Sequence, residues 1–150
     1  MPISFIGASN LIATNGGAPG AITVNASTAV GDLLLFYHYG RATGGNETLS
    51  ISNWNLVYNT VVANNGHLAV YWRIRQSGDT TYTATVTNYT SGTSGETILE
   101  WIETYRGVDS VNPVYGTDVG VDTWASSLTL GPILPSVTSL SNQDWVVVFA

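Results

Sequence analysis

Short runs of apolar and β-branched residues, separated by glycine, asparagine, serine and proline, form the main pattern of this chain. No window has the three-and-four spacing of apolar residues that marks an amphipathic helix, and Val, Ile, Thr and aromatic residues dominate the runs. Because about ten short strands in one domain are typical of two packed sheets, the pattern predicts an all-β, two-sheet antiparallel β-sandwich that is jelly-roll-like. The predicted strands are Ile3–Ile6, Ala21–Val24, Asp32–Tyr39, Glu47–Ile51, Leu56–Ala63, His67–Arg75, Thr80–Thr87, Thr97–Arg106, Ala125–Leu130 and Asp144–Phe149.

The length predicts a single β-sandwich domain over residues 1–150. A chain of 150 residues would bury roughly 70% of its unfolded surface, which is enough for a hydrophobic core. Within this domain, residues 1–20 are a candidate for an extended N-terminal arm. The stretch Val108–Thr123 contains Pro113 and several glycines, so we expect a long connection there and not a central strand.

One hairpin can be predicted together with its register. The pair Asn65-Gly66 favours a two-residue type I′ turn, so the numbers of paired residues would sum to 131. One face of this hairpin would pair Tyr58 with Arg73. It would also pair Thr60 with Tyr71, so that face would suit solvent or a partner. The opposite face would point into the core and carry Leu68, Val70, Trp72 and Ile74 on one strand, with Val57, Asn59, Val61 and Ala63 on the other.

Two further patterns predict how strands are covered. In Thr80–Thr87, residues at positions 82, 84 and 86 alternate with threonines, so the threonine hydroxyls would face water. The runs Leu33–Tyr37 and Trp145–Phe149 are instead continuously apolar. Such strands are covered on both faces, whether by a second sheet, a loop or another subunit.

Composition narrows the class of partner. The chain has four arginines, no lysine and ten acidic residues, for a net charge of −6 at pH 7. So few cations cannot neutralise a phosphate backbone, and we expect no nucleic-acid partner. The absence of cysteine excludes disulfides and thiolate metal sites. No apolar run approaches the ~20 residues that span a bilayer, and Met1–Leu11 lacks the parts of a secretory signal, so no membrane partner is expected.

The residues offer little that is typical of a catalytic site. His38 lies in an apolar strand and His67 follows a turn, and histidines in such positions are more often structural than ligands or bases. Glu100 and Glu103 are three residues apart on one strand, so their side chains would point to opposite faces. We expect one of these carboxylates to face solvent and the other to pair with an arginine. The prediction is therefore a protein with no enzyme activity, no bound metal and no cofactor.

Three weaker alternatives stay open. Asp118 and Asp122 could supply oxygen ligands to calcium, although Asp-Val-Gly-Val-Asp lacks the alternate acidic positions of a calcium loop. Trp124 lies among polar residues and is the best candidate for an exposed ring that stacks on a sugar. The glycine-rich loops Gly40–Asn46 and Asn88–Gly95 are expected to be mobile connections, or segments that dock on a neighbouring protein.

Several segments together resemble a known family. They are Val30-Gly-Asp-Leu-Leu-Leu-Phe36, Trp54, Leu68-Ala-Val-Tyr-Trp-Arg73, Glu103-Thr-Tyr-Arg-Gly-Val-Asp109 and Asn112-Pro-Val114. Over about residues 24–150 the chain is similar to the jelly-roll structural modules of tailed-bacteriophage virion proteins, of the capsid decoration (cement) or tail-fibre type. These modules carry a Gly-Asp that opens a hydrophobic strand, a mid-chain Trp, and a Tyr-x-Gly-Val-Asp corner near an Asn-Pro. The motifs belong to the scaffold, so the resemblance transfers no catalytic residue.

The resemblance implies a non-enzymatic structural virion protein, most readily a capsid decoration protein that binds the outside of the phage shell and stabilises it. Longer relatives continue past a strand like Asp144–Ala150, where this sequence stops, and this favours decoration over a fibre role. The expected partners are the major capsid protein or another virion protein and copies of the chain itself, as a homotrimer. The expected location is the capsid surface of the virion, after synthesis in the host cytoplasm. The alternative is a glycan- or receptor-binding module of a phage fibre or bacterial surface protein. The candidate interaction residues are Arg41, Tyr58, Tyr71, Arg73, Tyr89 and Trp124.

Overall fold

The computed structural model describes residues 2–15, 19–41, 48–62, 66–87 and 97–114. Every regular element within these ranges is a β-strand, which confirms the expected all-β class. The predicted strands at 125–130 and 144–149 lie outside the described residues. The observed strands are β1 (Ser4–Ala8), β2 (Ile12–Asn15), β3 (Ile22–Thr23), β4 (Leu33–Arg41), β5 (Thr48–Ser50), β6 (Asn55–Val62), β7 (Gly66–Ile74), β8 (Thr81–Tyr82), β9 (Thr85–Thr87) and β10 (Thr97–Arg106).

The described strands form a β-sandwich around one large sheet. This central sheet is six-stranded, with the order β1-β10-β4-β7-β6 and with β2 also paired to β10. All of its pairs are antiparallel. Two short antiparallel pairs, β3 with β8 and β5 with β9, contribute Ile22 and Leu49 to a hydrophobic cluster on one face of the central sheet. The jelly-roll order of connections stays a prediction.

The described N-terminal residues belong to the central sheet and do not form an extended arm. Strand β1 pairs Ser4 with Arg106 and Ala8 with Glu103 on β10. Strand β2, which was not among the predicted strands, pairs with the beginning of β10. Because Ile12 on β2 packs against the hydrophobic cluster, this segment buries apolar surface that an arm would leave in water.

The central strand β4 is buried on both faces, as its continuous apolar run predicts. Leu34 and Phe36 point to the face covered by the short strand pairs, which we call the inner face. The odd-numbered side chains of the same run point to the opposite, outer face. The inner face buries Ile22, Val24, Leu34, Phe36, Leu49, Ile51, Trp54, Ala69, Tyr71, Ala84 and Ile102. The outer face buries Leu33, Leu35, Tyr37 and Tyr105, with Ile3, Val70, Trp72, Ile74, Trp101, Val108 and Val114 packed against them.

The register of β6 against β7 differs from the predicted hairpin. Val62 pairs with Gly66 and Tyr58 pairs with Val70, so the numbers of these paired residues sum to 128 and not to 131. Beyond the bulge, Leu56 pairs with Tyr71, and the sum is 127. Gly66 is itself a paired strand residue, and the predicted two-residue turn centred on it is therefore wrong. The faces of β7 also differ from the prediction, because Tyr71 lies in the buried inner cluster and Val70 is half-buried on the outer face.

The alternation predicted for the threonine-rich segment is confirmed. Thr81, Thr83 and Thr85 are exposed, and Ala84 is buried in the inner cluster. The segment forms two short strands and not one, because β8 pairs with β3 while β9 pairs with β5. Its apolar side chains therefore close the inner face, and its hydroxyls meet water.

Gly107 allows the chain to turn tightly after β10. Its φ is +85°, and a Cβ at this position would lie 2.5 Å from the carbonyl oxygen of Pro2. Gly78 has the same φ of +85°, but a Cβ there would meet nothing within 4 Å. Each glycine-to-alanine change costs about 1–2 kcal/mol for the left-handed backbone. We expect Gly107→Ala to cost a further 1–3 kcal/mol or so because Pro2 must move.

Urea unfolding of Gly107→Ala and Gly78→Ala would measure this difference. The matched φ of the two glycines makes Gly78→Ala the control for backbone strain alone. Equal losses of unfolding free energy in the two variants would show that the contact with Pro2 adds nothing.

Candidate functional site

Tyr58, Tyr71 and Arg73 are the predicted interaction residues whose side chains the structure describes. Tyr58 on β6 and Arg73 on β7 are half-buried. Tyr71 is buried, and its hydroxyl donates a hydrogen bond of 2.9 Å to the carbonyl oxygen of Leu49. Tyr71 is thus a core residue, and the prediction that it faces solvent or a partner is wrong. The other predicted interaction residues lie outside the described part of the chain. These are the side chain of Arg41, which ends β4, and the whole of Tyr89 and Trp124.

Arg73 is held by contacts within its own chain. Its Nε donates to Oδ2 of Asp79 at 3.1 Å, and its Nη2 donates to Oδ1 at 3.2 Å. Its Nη1 donates to the carbonyl oxygen of Asn53, and the guanidinium lies 5.7 Å from the ring centroid of Tyr82. Burial alone would raise the pKa of the Asp79 carboxyl, but the hydrogen bonds it accepts, including those from Gln76 and Arg73, lower it overall. This arginine stabilises the turn after β7 and leaves little of its charge for a partner.

Two of the family-like motifs meet at one corner of the central sheet. Asp32 precedes β4, and Arg106 ends the neighbouring strand β10. Arg106 donates from Nε to Oδ1 of Asp32 at 2.9 Å and from Nη2 to Oδ2 at 2.8 Å. The backbone N–H of Ala29 donates to Oδ2 at 2.7 Å. The side chain of Asp32 is 4% exposed and that of Arg106 is 41% exposed, so a buried carboxylate is matched by a guanidinium at the surface. The Gly-Asp motif and the Tyr-x-Gly-Val-Asp motif therefore contact each other within the chain, and they join the start of β4 to the end of β10.

The Asp32 corner predicts how stability depends on pH. Burial alone would raise the pKa of the Asp32 carboxyl, but the hydrogen bonds from Arg106 and Ala29 and the nearby arginine charges lower it overall. A carboxyl whose folded pKa lies below its unfolded value of about 3.9 stabilises the fold above that pH. That stabilisation is lost as the pH falls through the folded pKa. We therefore expect the free energy of unfolding to fall as the pH drops from about 4 towards 2.

The Asp32→Asn variant tests this assignment. We expect it to lower the free energy of unfolding at neutral pH by about 1–3 kcal/mol, because a neutral amide accepts these hydrogen bonds less well. The half-exposed guanidinium of Arg106 is screened by water, which favours the lower end of that range. Urea unfolding of both proteins between neutral pH and about pH 2 should show a shallower acid loss in the variant. Parallel pH profiles would contradict the role of Asp32.

A second polar cluster, which sequence analysis missed, lies on the inner face and has three buried members and one exposed member, Asn59. We call it the His–Glu cluster, and it consists of His38 on β4, Glu100 on β10, His67 on β7 and Asn59 on β6. Nδ1 of His38 and Oε1 of Glu100 are 2.9 Å apart, and both side chains are fully buried. The His38 and His67 ring centroids are 5.6 Å apart, and Nε2 of His67 hydrogen-bonds Oδ1 of Asn59. The cluster therefore links four different strands at the end of the sheet where β4 and β6 finish.

The geometry of the His–Glu cluster favours a structural role. A general base must contact its substrate. Because the side chains of His38 and Glu100 are fully buried, a dissolved substrate cannot reach either of them. In the described ranges, no group of three or more His, Cys, Asp or Glu side chains is arranged to hold a metal ion. Oε2 of Glu100 has no hydrogen-bond partner among the described residues, so the pairing with His38 is the main compensation for burying this carboxyl.

Glu103 projects from the outer face and interacts with two tyrosines. The hydroxyls of Tyr37 and Tyr105 donate to its Oε2 at 3.1 and 2.8 Å, and the Tyr37 ring stacks on Trp101 with centroids 5.0 Å apart. Burial, together with the Glu103 carboxylate, raises the pKa of both tyrosines, so they stay protonated donors. Glu100 and Glu103 do lie on opposite faces, as predicted. The predicted arginine partner is wrong for Glu100, which pairs with His38, whereas Glu103 is half-buried and interacts with tyrosines.

No helix in the described residues is long and apolar enough to span a membrane.

Comparisons with known proteins identify no relative of the chain. Searches against protein-family models, curated proteins and solved structures found no match.

Proposed function

We propose that this protein is a non-enzymatic structural virion protein, a capsid decoration protein that binds the outside of a phage shell and stabilises it. One observation carries the proposal: the motif residues behind the family resemblance hold the scaffold together. Asp32 and Arg106 join two neighbouring strands, and Gly107 turns the chain against Pro2. Residues that join strands in this way stabilise the fold, as expected of a structural module common to a family, and they take no part in a reaction.

The ionisable side chains of the described residues support the same proposal. Most of them pair within the chain, which leaves few groups to act as general acids or bases toward a substrate. Only 9% of all residues are charged, so contacts with a shell would be mainly apolar and neutral polar, and salt would weaken them little. The internal pairs are Asp32 with Arg106, Asp79 with Arg73, Glu100 with His38, and Glu103 with Tyr37 and Tyr105.

A decoration protein needs no catalysis to act. A protein that binds the assembled shell and not its dispersed subunits stabilises the shell by mass action. A β-sandwich whose central strand is buried on both faces provides a firm core from which loops and edges can make such contacts.

The test uses virions of the phage whose genome encodes this chain. Mass spectrometry of gradient-purified particles should find the protein at a fixed ratio to the major capsid protein. Particles made without it should release their DNA at a lower temperature, and adding the purified protein back should restore resistance. Absence of the protein from purified particles would reject the proposal. Specific hits on a glycan array that disappear in Trp124→Ala would instead favour the glycan-binding alternative.

A further inference from the structure

Burial of apolar side chains alone does not determine the register of β4 against β10. Phe36 lies opposite Ile102 on the inner face. On the outer face, Tyr37 lies opposite Trp101. A shift of two residues would keep every side chain on its own face of the sheet. Because apolar and aromatic groups would still meet one another after such a shift, another feature is needed to select the observed register.

Two charged pairs lie on this register, one towards each end of the paired strands. His38 is directly opposite Glu100, and its Nδ1 is 2.9 Å from Oε1 of Glu100. At the other end, Asp32 comes directly before the first paired residue of β4, and Arg106 comes directly after that residue's partner, Tyr105. Arg106 donates to both carboxylate oxygens of Asp32. The same alignment of the two strands therefore forms both pairs.

A shift of two residues would separate both pairs at once. The members of each pair would move about 7 Å apart along the strands. Glu100 would then lie opposite Gly40 or Phe36, and neither side chain can donate a hydrogen bond. The side chain of Glu100 is fully buried and that of Asp32 is 4% exposed. Because a buried carboxylate that loses its partner is strongly destabilising, both shifted alignments are unfavourable.

We propose that the His38–Glu100 and Asp32–Arg106 pairs select the register in which β4 and β10 pair. A buried ion pair adds little net stability, because the cost of removing its charges from water offsets their attraction. Buried polar groups can instead exclude alternative alignments, as a single buried asparagine does in coiled coils. The two strands are neighbours inside the six-stranded sheet, so their register determines where the two halves of that sheet meet. This role does not depend on the proposed function.

Cysteine cross-linking during refolding measures the register. The chain has no cysteine, so each introduced pair reports one alignment. Tyr39→Cys with Leu99→Cys joins residues that are directly opposed in the observed register. Tyr39→Cys with Thr97→Cys reports a shift of two residues in one direction, and Arg41→Cys with Leu99→Cys reports the opposite shift. Directly opposed residues of antiparallel strands lie within reach of a disulfide, whereas diagonal neighbours about 7–8 Å apart do not.

The test variants replace the charged pairs by neutral ones. His38→Leu with Glu100→Leu fills the buried site with apolar groups. Asp32→Asn with Arg106→Gln leaves two amides that can still form hydrogen bonds. Each cysteine pair is refolded from urea in a redox buffer, in the otherwise unmodified chain, with either charged pair replaced, and with both replaced. Circular dichroism then shows which of these proteins are folded.

A matched control separates the charged pairs from general loosening of the core. Phe36→Leu with Ile102→Leu changes a directly opposed apolar pair on the same inner face. We expect this control and the unmodified chain to form the disulfide of the observed register. With both charged pairs replaced, the shifted disulfides should rise at least about tenfold relative to that disulfide.

Two outcomes would overturn the proposal. Shifted disulfides no more abundant than in the control would show that packing and chain connections determine the register by themselves. An equal rise in the control would show that loosening of the core is the cause. If the variant that lacks both charged pairs does not fold, the two variants that lack one pair decide, and at least one of them must exceed the control.

Discussion

Replacing Glu100 by alanine is expected to lower the free energy of unfolding by about 3–5 kcal/mol, because removing one member of a buried ionisable pair is strongly destabilising. The change takes away the carboxylate that lies 2.9 Å from Nδ1 of His38 and leaves a cavity between β10 and β4. Urea unfolding followed by tryptophan fluorescence would measure the loss at neutral pH.

A double variant separates the pairing from simple packing. His38→Leu combined with Glu100→Leu fills similar volume with apolar groups, and such replacements of a buried pair are often neutral or stabilising. We expect the double variant to be more stable than Glu100→Ala. It should also lose less than the sum of its two single substitutions, since groups in contact couple. Additive losses would show that His38 and Glu100 act independently.

The His–Glu cluster could be predicted from the sequence only in part. Within β4, His38 has the same parity as Leu34 and Phe36, and within β10, Glu100 has the same parity as Ile98 and Ile102. A polar residue at a core position of each strand indicates a buried partner. Which partner it meets depends on the pairing of strands 62 residues apart in sequence. Nothing local in either segment specifies that pairing.

The β6–β7 hairpin shows why alternation alone did not determine register. The odd-numbered residues Ala69 and Tyr71 of β7 pack in the inner cluster, and its even-numbered residues pack against the outer cluster. Apolar or aromatic side chains therefore lie on both faces of the strand, and either face could be taken for the core face. In a strand with one buried face, a one-residue slip would turn its apolar side chains towards water, and this cost determines the register. A strand that is covered on both faces lacks that restraint. The bulge between Leu56 and Tyr58 adds an offset that no turn motif predicts. Tyr71 was misplaced because the face of β7 that was predicted to point outward packs into the inner cluster beside Phe36.

Features that depend on local pattern were predicted well. The bounds predicted for β10, Thr97–Arg106, match the observed strand, and most other strands agree within a few residues. The exposed threonines of 81–85 and the two-sided burial of 33–37 also follow from residue order alone. The missed strand β2 is short and mixed in character, and its pairing with the beginning of β10 determines its place.

Phe36→Ala is expected to lower the free energy of unfolding by about 3–5 kcal/mol, as for other buried phenylalanines. Phe36 is fully buried at the centre of the inner face. Its ring centroid lies 5.9 Å from that of Trp54 and 6.4 Å from that of Tyr71, both in edge-on geometry. Loss of these ring pairs adds to the cavity cost. In a chain of this size the melting temperature should drop by roughly 10 °C.

Two matched variants show whether this loss comes from the inner core. Val30→Ala also removes apolar atoms, but Val30 is 64% exposed, so its effect should stay within about 0.5 kcal/mol. Leu35→Ala empties the outer face beside Phe36 on the same strand and should cost about 2–5 kcal/mol if both faces are packed to core density. Thermal and urea unfolding of the three variants give the comparison. A Phe36→Ala loss no larger than that of Val30→Ala would mean that the two layers of the sandwich are not packed around β4, and the fold described above would fail at its centre.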